Sequence, residues 1–220
     1  MLQEWFSTPI YYEHYTDLPH LRSLIPHLKK YTPKKNVEPL TQGDIKTGVA
    51  TLNSFIHFDK KFKKVFNFIE KQVNEYAKIR GLDLKKENLY LGKSWVNFAK
   101  KGSRISEHNH AKSYISGVIY LNTSDINDKL YVAKYRKNDP LLVPNKFTNN
   151  TVLYKVEPGK IILFPGDLNH GVVSPYEGDD ERVCISFDFY TTSIYGMSQP
   201  PIPKHINDKL LKQIKKHYDS

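Results

Sequence analysis

The chain has 220 residues, 39% hydrophobic and 13% aromatic, enough packing material for one domain with a real core and too much for a disordered chain. No apolar run approaches the roughly 20 residues of a membrane-spanning helix, and the single cysteine, Cys184, excludes an internal disulfide and a Cys-rich zinc site. The formal charge of +10 would suit a polyanion, but 28 of the 33 basic residues are Lys and only 5 are Arg, a poor balance for base and phosphate readers that rely on Arg forks.

The expectation is a cytoplasmic globular protein with a solvated Lys-rich surface, no membrane partner and no specific nucleic-acid binding. The first residues carry Glu4, Glu13, His14 and Asp17, unlike a secretory leader. The first 88 residues read as mostly helical. A short helix is expected over 18–30 through Leu21, Leu24, Ile25 and Leu28. A stronger one over 59–80 sets Phe62, Val65, Phe66, Ile69, Val73, Tyr76 and Ala77 at helical spacings, with Gly81 as its stop. Its other face is Lys and Glu, so its apolar stripe needs a surface to lie on.

From Leu89 the texture changes. Short runs of Val, Ile, Tyr and Phe, separated by Gly, Pro, Asn and Asp, predict strands at 89–99, 104–110, 113–122, 129–135, 151–156, 160–165, 170–174 and 182–190. The fold class expected is mainly β with flanking helices, a sandwich or jelly roll with the 59–80 helix covering one sheet. The polar stretch 136–150 is the longest loop of this half, and 199–203 reads as a stiff linker to a short helix through Leu210, Leu211 and Ile214. One domain thus divides into a helical N-terminal region over 1–88, a β core over 89–190 and a tail over 191–220.

Nine histidines are present. His14, His20, His27, His57, His205 and His217 stand singly and read as structural or solvated. His108 and His110 are two apart on a predicted strand, so both side chains leave one face, half of a metal site. His170, after the buried run Ile161-Ile162-Leu163-Phe164-Pro165-Gly166, is the candidate third ligand. Arg182 follows 12 residues later. Alternation puts Arg182, Cys184, Ser186 and Asp188 on one face of its strand and Val183, Ile185, Phe187 and Phe189 on the other. A polar face inside a barrel is costly unless it binds something. An inward Arg beside a metal suggests a carboxylate clamp; the plainer reading is a salt bridge to Glu181, Asp179 or Asp180.

Taken in order, these stretches resemble the phage and bacterial 2-oxoglutarate/Fe(II)-dependent oxygenases, relatives of prolyl-hydroxylase-like dioxygenases. They are Ser94-Trp95-Val96-Asn97, Gly102 through Glu107-His108-Asn109-His110, Ser116-Gly117-Val118-Ile119-Tyr120-Leu121-Asn122, Gly159 to Pro165, His170-Gly171-Val172 and Glu181-Arg182 to Phe187. The resemblance covers about 89–190 and implies a double-stranded β-helix, cupin-like, covered by the N-terminal helices. It implies Fe(II) as cofactor with 2-oxoglutarate and O2 as cosubstrates, and a hydroxylase acting on a small molecule or a protein. His108 becomes the proximal ligand, His170 the distal one, and Arg182 the partner of the cosubstrate's far carboxylate. Tyr120 matches a tyrosine that contacts the same carboxylate, Ser186 supports the clamp, and Asn97 faces the cavity. A phage-encoded member would work in the host cytoplasm.

The family pattern is H-x-D, whereas position 110 is His. His110 is expected to be a third neutral ligand, leaving the site one unit more positive; the alternative is that it sits beside a two-histidine site without ligating. Two other readings stay open. One is a three-histidine, cupin-type dioxygenase without 2-oxoglutarate; the other is a non-enzymatic β-barrel phage accessory protein.

Overall fold

The computed structural model describes residues 7–31, 48–50, 55–110, 112–124, 128–134, 150–172 and 175–191. The tail helix and, but for Asn150, the loop expected over 136–150 lie outside them.

Among the described residues nine strands form two antiparallel sheets. Strands β1 (Tyr11–His14), β2 (Gly48–Ala50), β3 (Leu89–Ala99), β4 (Ile115–Asn122), β7 (Lys160–Pro165) and β9 (Arg182–Thr191) make a six-stranded sheet in the order β1-β7-β4-β9-β3-β2. Strands β5 (Lys129–Ala133), β6 (Thr151–Lys155) and β8 (Asn169–Val172) make the second, in the order β6-β5-β8. The alternation read along β9 holds. Val183, Ile185, Phe187 and Phe189 join one hydrophobic cluster on the outer face of the large sheet. Cys184 joins a second cluster, where Val118, Tyr120, Ile162 and Phe164 meet Leu130 and Val132 of the small sheet.

Helix α3 (Lys63–Ile79) buries Val65, Phe66, Ile69, Val73, Tyr76 and Ala77 in the outer cluster. It is preceded by two 3-10 turns rather than beginning at residue 59; the Asp59 carboxylate accepts the Lys61 N–H at 2.9 Å. Gly81, at φ +81°, ends it, with Leu82 N–H bonded to the Ala77 carbonyl at 2.9 Å in a Schellman closure. The single helix expected over 18–30 is two, α1 (Leu18–Ser23) and α2 (Ile25–Lys29). Pro26 has no N–H to continue the ladder.

The first 88 residues, expected to be mostly helical, also hold β1 and β2, which form the two edges of the large sheet. One further expectation is corrected. Segment 104–110 is not a strand; it carries an isolated antiparallel bridge between His108 and His170. No helix among the described residues is long and apolar enough to cross a membrane.

The turn into β7 depends on Gly159, at φ +89°. A Cβ there would stand 2.5 Å from the Tyr15 carbonyl oxygen, which is itself backbone and unable to swing away. Gly159→Ala should therefore cost more than the about 1–2 kcal/mol of left-handed backbone alone, read as a lower urea midpoint with an unchanged slope. An unaltered midpoint would contradict this turn geometry.

Candidate active site

The two sheets enclose a cavity of about 270 Å³, at the small end of ligand pockets. Its walls hold every site residue expected from the sequence: His108, His110, His170, Arg182, Tyr120, Ser186 and Asn97. The register explains this. Asn97, Cys184 and Tyr120 stand in one row across β3, β9 and β4, with Trp95, Ser186 and Val118 in the next. Arg182 lies one row beyond on one side and Asp188, paired with Ser116, one row beyond on the other.

At the Asp188 end the three histidines converge. One ring nitrogen of each lies within 4.8 Å of those of the other two. His170 sits on β8; His108 is fixed beside it by paired backbone bonds of 3.0 and 2.8 Å. The His110 N–H reaches the Gly166 carbonyl at 2.7 Å. Neighbouring β8 therefore does the work that a continuous strand was expected to do.

Tautomers follow from the partners. His108 Nδ1 donates to the Ser106 carbonyl at 2.8 Å, His170 Nδ1 to the Leu168 carbonyl at 3.1 Å, and His110 Nδ1 to Asp188 Oδ1 at 2.7 Å. Carbonyls and carboxylates only accept, so each Nδ1 carries a proton and Nε2 is the ring nitrogen left over for a ligand. Burial lowers the pKa of His170 to about 3, helped by His108 and His110. His108 is exposed along one edge, yet burial of the rest of its ring is the main cause lowering its pKa too. Ring nitrogens gathered this closely make a ready cradle for a cation. Three imidazoles suit Fe(II), so the donor set fits the metal.

At the other end Arg182 is 2% exposed and its Nη1 donates to Asp128 Oδ1 at 2.7 Å, with the Asp128 side chain 1% exposed. Burial would lower the guanidinium's pKa, but the Asp128 carboxylate outweighs it and the net shift is upward. Burial also raises the Asp128 pKa against the pull of Arg182. The Tyr176 ring packs against the guanidinium, its centroid 5.1 Å away. Along the wall between the two ends, Asn97 Nδ2 donates to Ser186 Oγ at 3.0 Å. Burial pushes the Cys184 thiol up to about 11, so it lines the cavity as a neutral group.

Residues 93–188 match the family described as "Putative 2OG-Fe(II) oxygenase". The resemblance to 2-oxoglutarate/Fe(II) oxygenases read from the sequence holds over that stretch, which runs from within β3 to within β9. Fe(II), with 2-oxoglutarate and O2 as cosubstrates, is the cofactor set of this chemistry, and the histidine cluster fits the metal. Solved structures share the fold at low identity. A Pseudomonas putida prolyl-4-hydroxylase is 14% identical with a TM-score of 0.55, over 84% of this chain and 93% of that one. HygX from Streptomyces hygroscopicus, solved with nickel and 2-oxoglutarate bound, is 13% identical with a TM-score of 0.57, over 84% of each chain. The non-heme alpha-ketoglutarate-dependent epimerase SnoN, from nogalamycin biosynthesis, is 10% identical with a TM-score of 0.54, over 81% of this chain and 78% of that one. No curated protein matches by sequence.

Two residues of this oxygenase-like core escaped the sequence. The partner of Arg182 is Asp128, not its chain neighbours: Glu181 pairs with Lys29 at 3.0 Å and Asp179 with Lys101 at 2.8 Å. Asp188 was legible as one residue of a polar face but not as the partner of His110. Four histidines read as structural have ordinary partners, His14 with Glu157, His20 with Tyr15, His27 with Lys61 and His57 with Ser94. His205 and His217 lie outside the described residues.

Proposed function

We propose that this protein is a 2-oxoglutarate- and Fe(II)-dependent hydroxylase built on a double-stranded β-helix. His108, His110 and His170 hold the metal, and Arg182 holds the far carboxylate of the cosubstrate. The observation that carries the reading is the pairing of three converging histidines with a buried arginine in one small cavity. When bound, Fe(II) supplies the redox chemistry that couples oxidative decarboxylation of 2-oxoglutarate to oxidation of a C–H bond. The chain's own groups bind, orient and exclude water. Arg182 offers a preorganised fork to a carboxylate in surroundings dry enough to strengthen it.

Asn97, Ser186 and Tyr120 line the path between the two ends, with the Tyr120 phenol held protonated by burial. Trp95, Phe164 and Leu130 close the apolar sides. Hydroxylation is favoured by the likeness to the prolyl-4-hydroxylase and by an open His108 side from which a substrate C–H can approach. The test is anaerobic titration of the protein with Fe(II) and 2-oxoglutarate. A visible charge-transfer band requiring both components is expected, followed in air by succinate formation. Binding of iron with no response to 2-oxoglutarate would instead support the cupin-type dioxygenase.

A further inference from the structure

We propose that Asp188 is a positioning residue that supplies, through His110, the negative charge this metal centre lacks among its ligands. The inference rests on the reading that His110 ligates. A facial triad of two histidines and one carboxylate brings one negative charge to Fe(II); three neutral imidazoles bring none. Asp188 stands directly behind the histidine that replaces the carboxylate. Its Oδ1 accepts from His110 Nδ1 and from the Ser116 hydroxyl, each at 2.7 Å.

The arrangement is rigid. Asp188 is 4% exposed, on β9, and Ser116 is its register partner on β4, the two central strands of the large sheet. A buried carboxylate needs a compensating positive charge, and the ring that Asp188 faces, with Nδ1 2.7 Å from its Oδ1, is that of His110. A dication on Nε2 supplies that charge through the ring, while the Nδ1 hydrogen bond makes the imidazole a more basic ligand and fixes its plane. The missing first-sphere carboxylate is thus moved one residue outward rather than lost.

The experiment measures Co(II) affinity by calorimetry on the full chain, with thermal unfolding of the metal-free proteins as a check on the fold. Asp188→Asn keeps an oxygen that accepts from Nδ1 but removes the charge. It should weaken Co(II) binding about 10- to 100-fold without a matching loss of fold. Asp188→Ala, which removes the acceptor as well, should be weaker still. In a His110→Ala background Asp188→Asn should have no further effect. In a His110→Asp background the sign should reverse, because two carboxylates then crowd the metal and removal of one charge relieves them.

Unchanged or tighter Co(II) binding by Asp188→Asn in the parent chain, with His110→Ala still losing the metal, would overturn the role of Asp188 and leave the three-histidine site standing. Full metal affinity in His110→Ala would overturn both.

Discussion

His170→Ala should abolish Fe(II) or Co(II) binding while leaving a folded protein, and His108→Ala should do the same. The expectation rests on how the two rings are held. Each Nδ1 is tied to a backbone carbonyl two residues earlier in the chain, at Leu168 and Ser106, so the rings are oriented before any metal arrives. The main-chain bridge between His108 and His170 sets their separation, with ring centroids 4.4 Å apart. Neither side chain belongs to the two hydrophobic clusters, and truncation to Ala keeps the backbone bonds of the bridge. The loss should therefore appear in metal affinity, at least a hundredfold by calorimetry or equilibrium dialysis, an order-of-magnitude expectation above the about 10- to 100-fold seen when outer-shell partners are lost. Full occupancy in His170→Ala would place the metal elsewhere.

Local pattern and long-range pairing differed sharply in how well the sequence displayed them. The core strands β3, β7 and β9 are legible because Gly, Pro and charge punctuate short runs, alternating along β9 and continuously apolar along β7, and helix α3 because its apolar stripe spans the whole element. The short edge strands β1 and β2 are not. Tyr11-Tyr12-Glu13-His14 is exposed at every position but Tyr11, and its strand form comes from pairing with Lys160 to Leu163 of β7. Segment 104–110 erred the other way, since its residues suit a strand but only His108 finds a partner in bridge geometry. The site shows the same division. His108, His110, His170 and Arg182 carry readable spacings. Asp128 lies 54 residues from the arginine it neutralises, and no local feature distinguishes it from a surface aspartate.

That hidden pair leads to the second large effect, with opposite signs for its two members. Arg182→Ala should weaken 2-oxoglutarate binding roughly 30-fold or more, the about 2–5 kcal/mol of a desolvated charge-assisted pair losing one partner, with metal affinity unchanged. Asp128→Asn should tighten it. On the proposed reading the cosubstrate's far carboxylate would share the guanidinium with Asp128, which already holds it at 2.7 Å; without the Asp128 charge it would become the main counter-charge to a buried cation.

The free Asp128→Asn protein bears the cost, since an uncompensated charge left after breaking a buried pair destabilises by about 3–5 kcal/mol. Saturating 2-oxoglutarate with Co(II) should then raise the melting temperature of Asp128→Asn more than that of the parent, because the ligand replaces the missing charge as well as occupying the cavity. Calorimetry at saturating metal and paired melting curves read both halves. If neither substitution moves 2-oxoglutarate affinity, Arg182 is a structural cation held by Asp128 and the carboxylate clamp lies elsewhere in the cavity.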